Sequence, residues 1–138
     1  MKTKTLTLFL TLGIIVFMSC DRNEDSTLIQ IPIGDFTGIF TVEYKSGDTF
    51  SNPVTISFME ENAYSSTGNP DYYPAGGNGT FEINGSSIEF TDTNFWTANF
   101  DWNLILNGKY EFTYDGKELV ISANKNDVGF YKYELTKE

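Results

Sequence analysis

The residue types that most often carry out catalysis are scarce in this chain of 138 residues. It has no histidine, which excludes the commonest general base and every Ser-His or Cys-His nucleophile pair. Among its carboxylates, Glu60-Glu61 and the pair Asp92 and Asp101 are the arrangements that could act as a glycosidase acid and base. With nineteen acidic residues, such pairs are expected by chance at solvated strand ends. We therefore expect no catalytic residue and predict that the protein is not an enzyme.

Two clusters of side-chain oxygens are of the kind that calcium prefers. They are Asp92-Thr93-Asn94 and residues 124–127. Neither has the spacing of an EF-hand loop, which contains a glycine and ends in a glutamate. Turns in which Asx side chains bond the local backbone explain both clusters. We predict no metal site and no cofactor.

The only cysteine, Cys20, follows a segment with the three parts of a secretory signal. A basic start at Lys2 and Lys4 leads into an apolar run over residues 6–18, and a small residue precedes the cysteine. The run is shorter than the roughly 20 apolar residues of a membrane-spanning helix. We expect residues 1–19 to be a lipoprotein signal peptide and Cys20 to carry acyl chains that hold the protein on a membrane. The alternative is an ordinary signal peptide with a chance cysteine near its end.

The charge of the mature chain limits its partners. Without residues 1–19, seven basic side chains remain against nineteen acidic ones, a formal charge of −12. Such a surface repels phosphate backbones, so we expect no nucleic-acid partner. It also opposes binding to anionic lipid, which leaves the acyl chains on Cys20 as the predicted membrane contact.

Beyond a polar, proline-interrupted stretch at residues 20–34, which we interpret as a flexible tether, almost every segment alternates between apolar and polar residues. This period of two is typical of half-buried β-strands. The predicted domain covers residues 35–138. We predict eight or nine strands in it, at residues 36–45, 52–59, 62–67, 78–83, 86–91, 101–106, 109–114, 117–123 and 128–136.

Tight turns separate several of these strands. Asn84-Gly85, Asn107-Gly108 and Asp115-Gly116 are dipeptides that favour two-residue hairpin turns. Successive hairpins make an antiparallel up-and-down meander, whose exposed edges are removed if the sheet closes. The sequence thus predicts an all-β fold closed as a barrel, with a two-sheet sandwich as the alternative.

The domain resembles the lipocalin-like lipoproteins of Bacteroidetes-type bacteria. The resemblance covers Gly38 to the C-terminus. Gly38-Ile39-Phe40 stands where lipocalins begin their first strand with Gly-x-Trp, and residues 106–119 and 131–135 look like the last hairpins of that group. The junction at residues 17–20, followed by acidic residues, is also similar to theirs. The resemblance implies a calycin-type barrel, a place in the cell envelope, at the outer membrane, and a small apolar ligand.

Two long segments interrupt the alternation, and loops rich in aromatic residues often bind ligands. Residues 66–79 contain Tyr72 and Tyr73, and residues 92–100 contain Phe95 and Trp96. We predict that these four side chains bind a small apolar or glycan ligand at the barrel mouth. Their alternative role is to cover the loops. The nearby Trp102 fits the strand alternation and is expected in the core.

Two functions from different classes remain open. The barrel either binds a small apolar or glycan ligand, or it is filled and serves as a protein-interaction or structural module of the envelope. The first needs inward side chains small enough to leave a cavity. The candidates for the interior are bulky, and in a small barrel they would fill it; they are Phe40, Tyr44, Phe58, Phe112 and Tyr133.

Overall fold

The strands of this chain come in hairpin order and close on themselves. The computed structural model describes residues 28–138. Its eight strands are β1 (Gly34–Tyr44), β2 (Thr49–Phe58), β3 (Ala63–Ser66), β4 (Gly77–Asn84), β5 (Ser87–Asp92), β6 (Gly108–Tyr114), β7 (Glu118–Lys125) and β8 (Gly129–Lys137). Each strand pairs antiparallel with its neighbour in sequence, and β8 pairs with β1. The predicted all-β, up-and-down barrel is confirmed.

One predicted strand is wrong. Residues 101–106 form no strand: Trp102–Leu104 form a 3₁₀ turn, and Ile105 makes only a single parallel bridge to Gly76. The Asp101 carboxylate accepts a hydrogen bond from the backbone N–H of Asn103 at 3.0 Å, which favours a turn over strand pairing. As a result, Trp102 is 58% exposed rather than in the core. The Asn107-Gly108 hairpin is wrong for the same reason, because only the strand after it exists.

The barrel has two different ends. We call one the loop end; it carries the connections at residues 45–48, 67–76, 93–107 and 126–128. We call the other the turn end; it carries the chain entry at residues 28–33 and the connections at residues 59–62, 85–86 and 115–117. The two long connections both lie at the loop end.

Aromatic rings fill the interior between these ends. Phe90 on β5 lies 4.7 Å from Tyr64, 5.8 Å from Tyr110 and 6.5 Å from Phe58, measured between ring centroids. The chain of contacts continues from Tyr110 to Tyr133. All five of these rings are at most 1% exposed. Residues from strands on opposite sides of the barrel therefore meet across its axis, and the core is continuous.

Candidate functional site

The four predicted ligand-binding residues all lie at the loop end, but they separate into different groups. Tyr72 stacks on Phe100 at 4.3 Å with the rings 3° from parallel, and Trp96 meets Phe100 edge-on at 5.7 Å. Tyr73 stacks instead on Phe50 of β2, at 4.2 Å. Phe95 contacts none of these rings and is 92% exposed. The two loops thus bring Tyr72 and Trp96 together on Phe100, whereas Tyr73 packs on β2 and Phe95 is exposed to solvent.

A surface cleft runs between the first residues of β2 and the loop at residues 67–76. We call it the loop-end cleft; its volume is about 720 Å³. Its lining combines aromatic rings with hydroxyl, amide and carboxylate groups, from Thr49, Phe50, Ser51, Asn52, Pro70, Asp71, Tyr72 and Tyr73. The Asn52 side chain donates a 2.7 Å hydrogen bond to the Tyr73 carbonyl and so fixes the loop on β2. Two of the predicted residues, Tyr72 and Tyr73, therefore line one cleft.

Trp96 is held by an acidic residue at the end of β5. Its indole N–H donates to Asp92 Oδ2 at 2.6 Å, and Asp92 Oδ1 accepts from the Asn78 backbone N–H at 2.8 Å. The Asn94 side chain donates to the same carboxylate at 3.1 Å. None of the three bonds joins Asp92 to the neighbouring backbone, so they differ from the Asx turn expected at Asp92-Thr93-Asn94. They position Trp96 beside Phe100 and occupy both carboxylate oxygens.

A polar network closes the barrel interior at the loop end. Asp101 Oδ2 accepts hydrogen bonds from the hydroxyls of Tyr44 at 3.0 Å and Tyr131 at 2.6 Å. Burial, and then the hydrogen bond to Asp101, raise the pKa of both tyrosines, because the negative carboxylate disfavours a second negative charge. The carboxylate therefore joins β1 and β8 to the loop at residues 93–107.

Lys125 makes a second contact between the barrel and that loop. Its Nζ donates to the Asn107 carbonyl at 2.9 Å and lies 4.4 Å from the centroid of the Tyr110 ring. Burial lowers the pKa of Lys125 to about 8, and the negative Asp101 partly opposes the shift. Asp101 and Lys125 thus bond the loop to the barrel on either side of Leu104 and Leu106. Both leucines pack in the core, where they are at most 2% exposed.

Beneath this closure lies a group of buried tyrosine hydroxyls. Tyr64 donates to the Leu106 carbonyl, while the hydroxyls of Tyr110 and Tyr133 find no hydrogen-bond partner among residues 28–138. Burial raises the pKa of all three, so they stay neutral. The interior is therefore covered by the loop and occupied by rings.

Several residues of the loop end were missed by sequence reasoning. Phe50 and Asp71 gave no signal, because an isolated aromatic residue or carboxylate does not reveal which loop folds against it. The partnership of Asp101 with Lys125 and the tyrosines joins residues far apart in the chain. Only Lys125 could have been identified from the sequence. It follows Leu119 and Ile121 at the alternate positions of β7 that face the interior, where a cation is unusual and needs a partner.

The remaining predicted site, Cys20, lies outside the described residues. Within residues 28–138, no helix is long and apolar enough to cross a membrane. Comparison of the chain with protein-family models, curated proteins and solved structures finds no match.

Proposed function

We propose that this chain is a lipid-anchored envelope protein with a lipocalin-like barrel that binds a glycan in the loop-end cleft. The observation that carries the proposal is the contrast between the cleft and the interior. The cleft is open and lined by both rings and polar groups, whereas aromatic side chains occupy the barrel axis. An apolar ligand in the interior would have to displace those rings.

The chemistry of the cleft suits a sugar. Carbohydrate rings present apolar C–H faces that pack on aromatic side chains and hydroxyls that need hydrogen bonds. Tyr72 supplies a ring at the edge of the cleft, and Asp71 and Ser51 supply acceptors beside it. Asn52 is already bonded to the Tyr73 carbonyl, so its amide position is fixed before a ligand arrives. A preformed polar lining lowers the entropy lost on binding.

The site binds rather than transforms its ligand in this proposal. No histidine is available as a base, and both Asp92 and Asp101 accept hydrogen bonds from ring N–H or hydroxyl groups of the fold. Acyl chains on Cys20 would hold the barrel at the outer membrane, in keeping with the resemblance to lipoproteins of that compartment. Nucleic acid is disfavoured by the charge of −12 on residues 20–138.

The test is a titration of residues 21–138 with soluble envelope oligosaccharides and, separately, fatty acids. Residues 28–138 contain the whole closed barrel, so removal of the leader leaves the fold intact. We expect a saturable change in tryptophan fluorescence with a glycan, because Trp96 contacts Phe100, on which Tyr72 stacks. Tyr72→Ala should weaken binding about tenfold, equivalent to ~1.4 kcal/mol. Tyr114→Ala, a half-buried tyrosine at the turn end, is the matched control that should retain affinity.

Saturable binding of a fatty acid, with no response to glycans, would contradict the proposal. A second candidate has one observation in its favour: Phe95 is 92% exposed and Trp102 is 58% exposed. Exposed aromatic side chains of this kind anchor protein–protein interfaces. A protein partner would lose affinity with Phe95→Ala, whereas a glycan in the cleft would not.

A further inference from the structure

Apolar side chains surround the turn end and contribute little to the core. Leu28, Ile29, Ile33 and Met59 are between 40% and 76% exposed. Ile33 directly precedes β1 and Met59 directly follows β2, and the two strands pair there through Gly34 and Phe58. These four residues therefore share one end of the barrel, which we call the aliphatic rim.

A cleft opens beside the rim. Because β3 begins at Ala63, which pairs with Thr80, the rest of β4 lacks a neighbour on that side among residues 28–138. The inward-facing Phe81 and Ile83 are only partly covered as a result. They line a space of about 550 Å³ together with Leu28, Ile29, Gln30, Ile31, Asn62, Glu82 and Gly85. Ligand pockets span roughly 300–1,000 Å³, so this turn-end cleft has room for part of an apolar molecule.

We propose that the turn end docks on the lipid bilayer, with the aliphatic rim in the interfacial layer and a lipid acyl chain in the turn-end cleft. This inference rests on the proposed acylation of Cys20. Eight residue steps separate Cys20 from Leu28, so the anchor lies at most about 29 Å from the rim. The 11 residues of β1, at the tilt typical of a barrel strand, rise about 28 Å from the turn end to the loop end. Along β1, the anchor thus reaches the turn end at any extension, but the loop end only when nearly fully stretched.

The charges around the turn-end cleft bear on which lipid it takes. Glu60 and Glu61 follow Met59 and are exposed, and Glu82 is the only charged residue among residues 28–138 that lines the cleft. The nearby cation Lys137 lies on the β1 side instead, with its Nζ 5.8 Å from the Phe36 ring. Anionic headgroups, and the carboxylate of a free fatty acid, would be repelled there. The uncharged ester-linked chain of a zwitterionic phospholipid would not. We therefore assign the occupant to the bilayer rather than to a free fatty acid.

The experiment uses the full chain, purified with its anchor and reconstituted into phosphatidylcholine vesicles. Acylation blocks Cys20, so Met59→Cys and Ile29→Cys each offer one thiol for an environment-sensitive fluorophore. Phe95→Cys is the matched control at the loop end. Flotation with the vesicles reports the anchor, and quenching by nitroxide-labelled lipids reports the docking. We expect at least a twofold loss of fluorescence at positions 59 and 29, and none at position 95.

A second variant separates contact from simple proximity. Ile33→Asp changes an exposed residue, so the barrel still folds, and it should reduce quenching at position 59 without releasing the protein from vesicles. Protein that floats while positions 59 and 29 stay unquenched, or that is quenched at position 95, would overturn the docking and leave the anchor intact. Protein that does not float would overturn the anchor and the docking together. A free fatty acid that restores the fluorescence at position 29 would overturn the assignment to the bilayer.

Discussion

The two ends of the barrel differ in how they are built. At the loop end, polar groups lie at the top of the interior. Asp101 of the loop at residues 93–107 bonds Tyr131 of the barrel, and Lys125 of the barrel bonds the Asn107 carbonyl of the loop. At the turn end, connections are short and apolar side chains face outward, as Leu28 and Ile33 do. Side chains at the loop end thus hold the fold closed, whereas much of the rim at the turn end contributes little to folding. The exposed rim is therefore free to contact another surface.

The largest expected effect is on the packing of the loop end. Leu106→Ala removes a fully buried side chain and should lower the free energy of unfolding by about 2–5 kcal/mol, because it leaves a cavity. Leu28→Ala changes a residue that is 76% exposed and should shift it by less than ~0.5 kcal/mol. Urea unfolding of residues 21–138 measures both. Equal losses in the two variants would mean that the rim is part of the core.

A smaller effect is expected from the polar closure. Asp101→Ala leaves the hydroxyls of Tyr44 and Tyr131 without their acceptor, and hydrogen bonds to charged groups contribute about 1.5–3 kcal/mol. The free energy of unfolding should fall by about that amount. Asp71→Ala, whose exposed carboxylate lies at the same end, should change it by less than ~0.5 kcal/mol. If the two variants are equally stable, the loop at residues 93–107 does not depend on Asp101.

Much of the fold could be predicted because the barrel strands carry their own signal. Phe40 and Val42, or Ile88 and Phe90, alternate with polar residues, and each strand pairs with the next one in sequence. The segment at residues 101–106 shows the limit of that signal. Leu104 and Leu106 alternate as in a strand, yet they plug the barrel from a turn capped by Asp101. In this segment Trp102 shares the period but is exposed, whereas Ile105 is off the period but buried, so local periodicity does not report whether the segment pairs in the sheet.

The candidate site was predictable in position but not in arrangement. The two loops with Tyr72, Tyr73, Phe95 and Trp96 do lie at one end, because connections that alternate along a meander share an end. Which ring stacks on which depends on long-range contacts such as Tyr73 with Phe50. The polar closure was also hidden, since Asp101 and Tyr131 are thirty residues apart and belong to different elements.

The smallest expected effect concerns Lys125 and the pH. Burial lowers the pKa of Lys125 to about 8 from its usual 10.5, so between these values the unfolded chain binds more protons than the folded one. Stability should therefore rise as the pH increases from 7 to 9.5. We expect a gain of about 2 kcal/mol relative to Lys125→Met, since each pH unit between the folded-state pKa and pH 9.5 contributes ~1.4 kcal/mol.

Above pH 10 the tyrosines should reverse this trend. The raised pKa values of Tyr44 and Tyr131 mean that the folded state keeps protons that the unfolded state releases, so stability falls. Urea unfolding of the wild type and Lys125→Met at pH 7, 8.5, 9.5 and 10.5 separates the contribution of Lys125 from that of the tyrosines. The variant lacks the Lys125 contribution and keeps that of the tyrosines. A difference between the proteins that stays constant from pH 7 to 9.5 would show that Lys125 is as well solvated as a lysine at the turn end. The two ends would then differ in their connections, but closing the loop end would not require burial of a charged lysine.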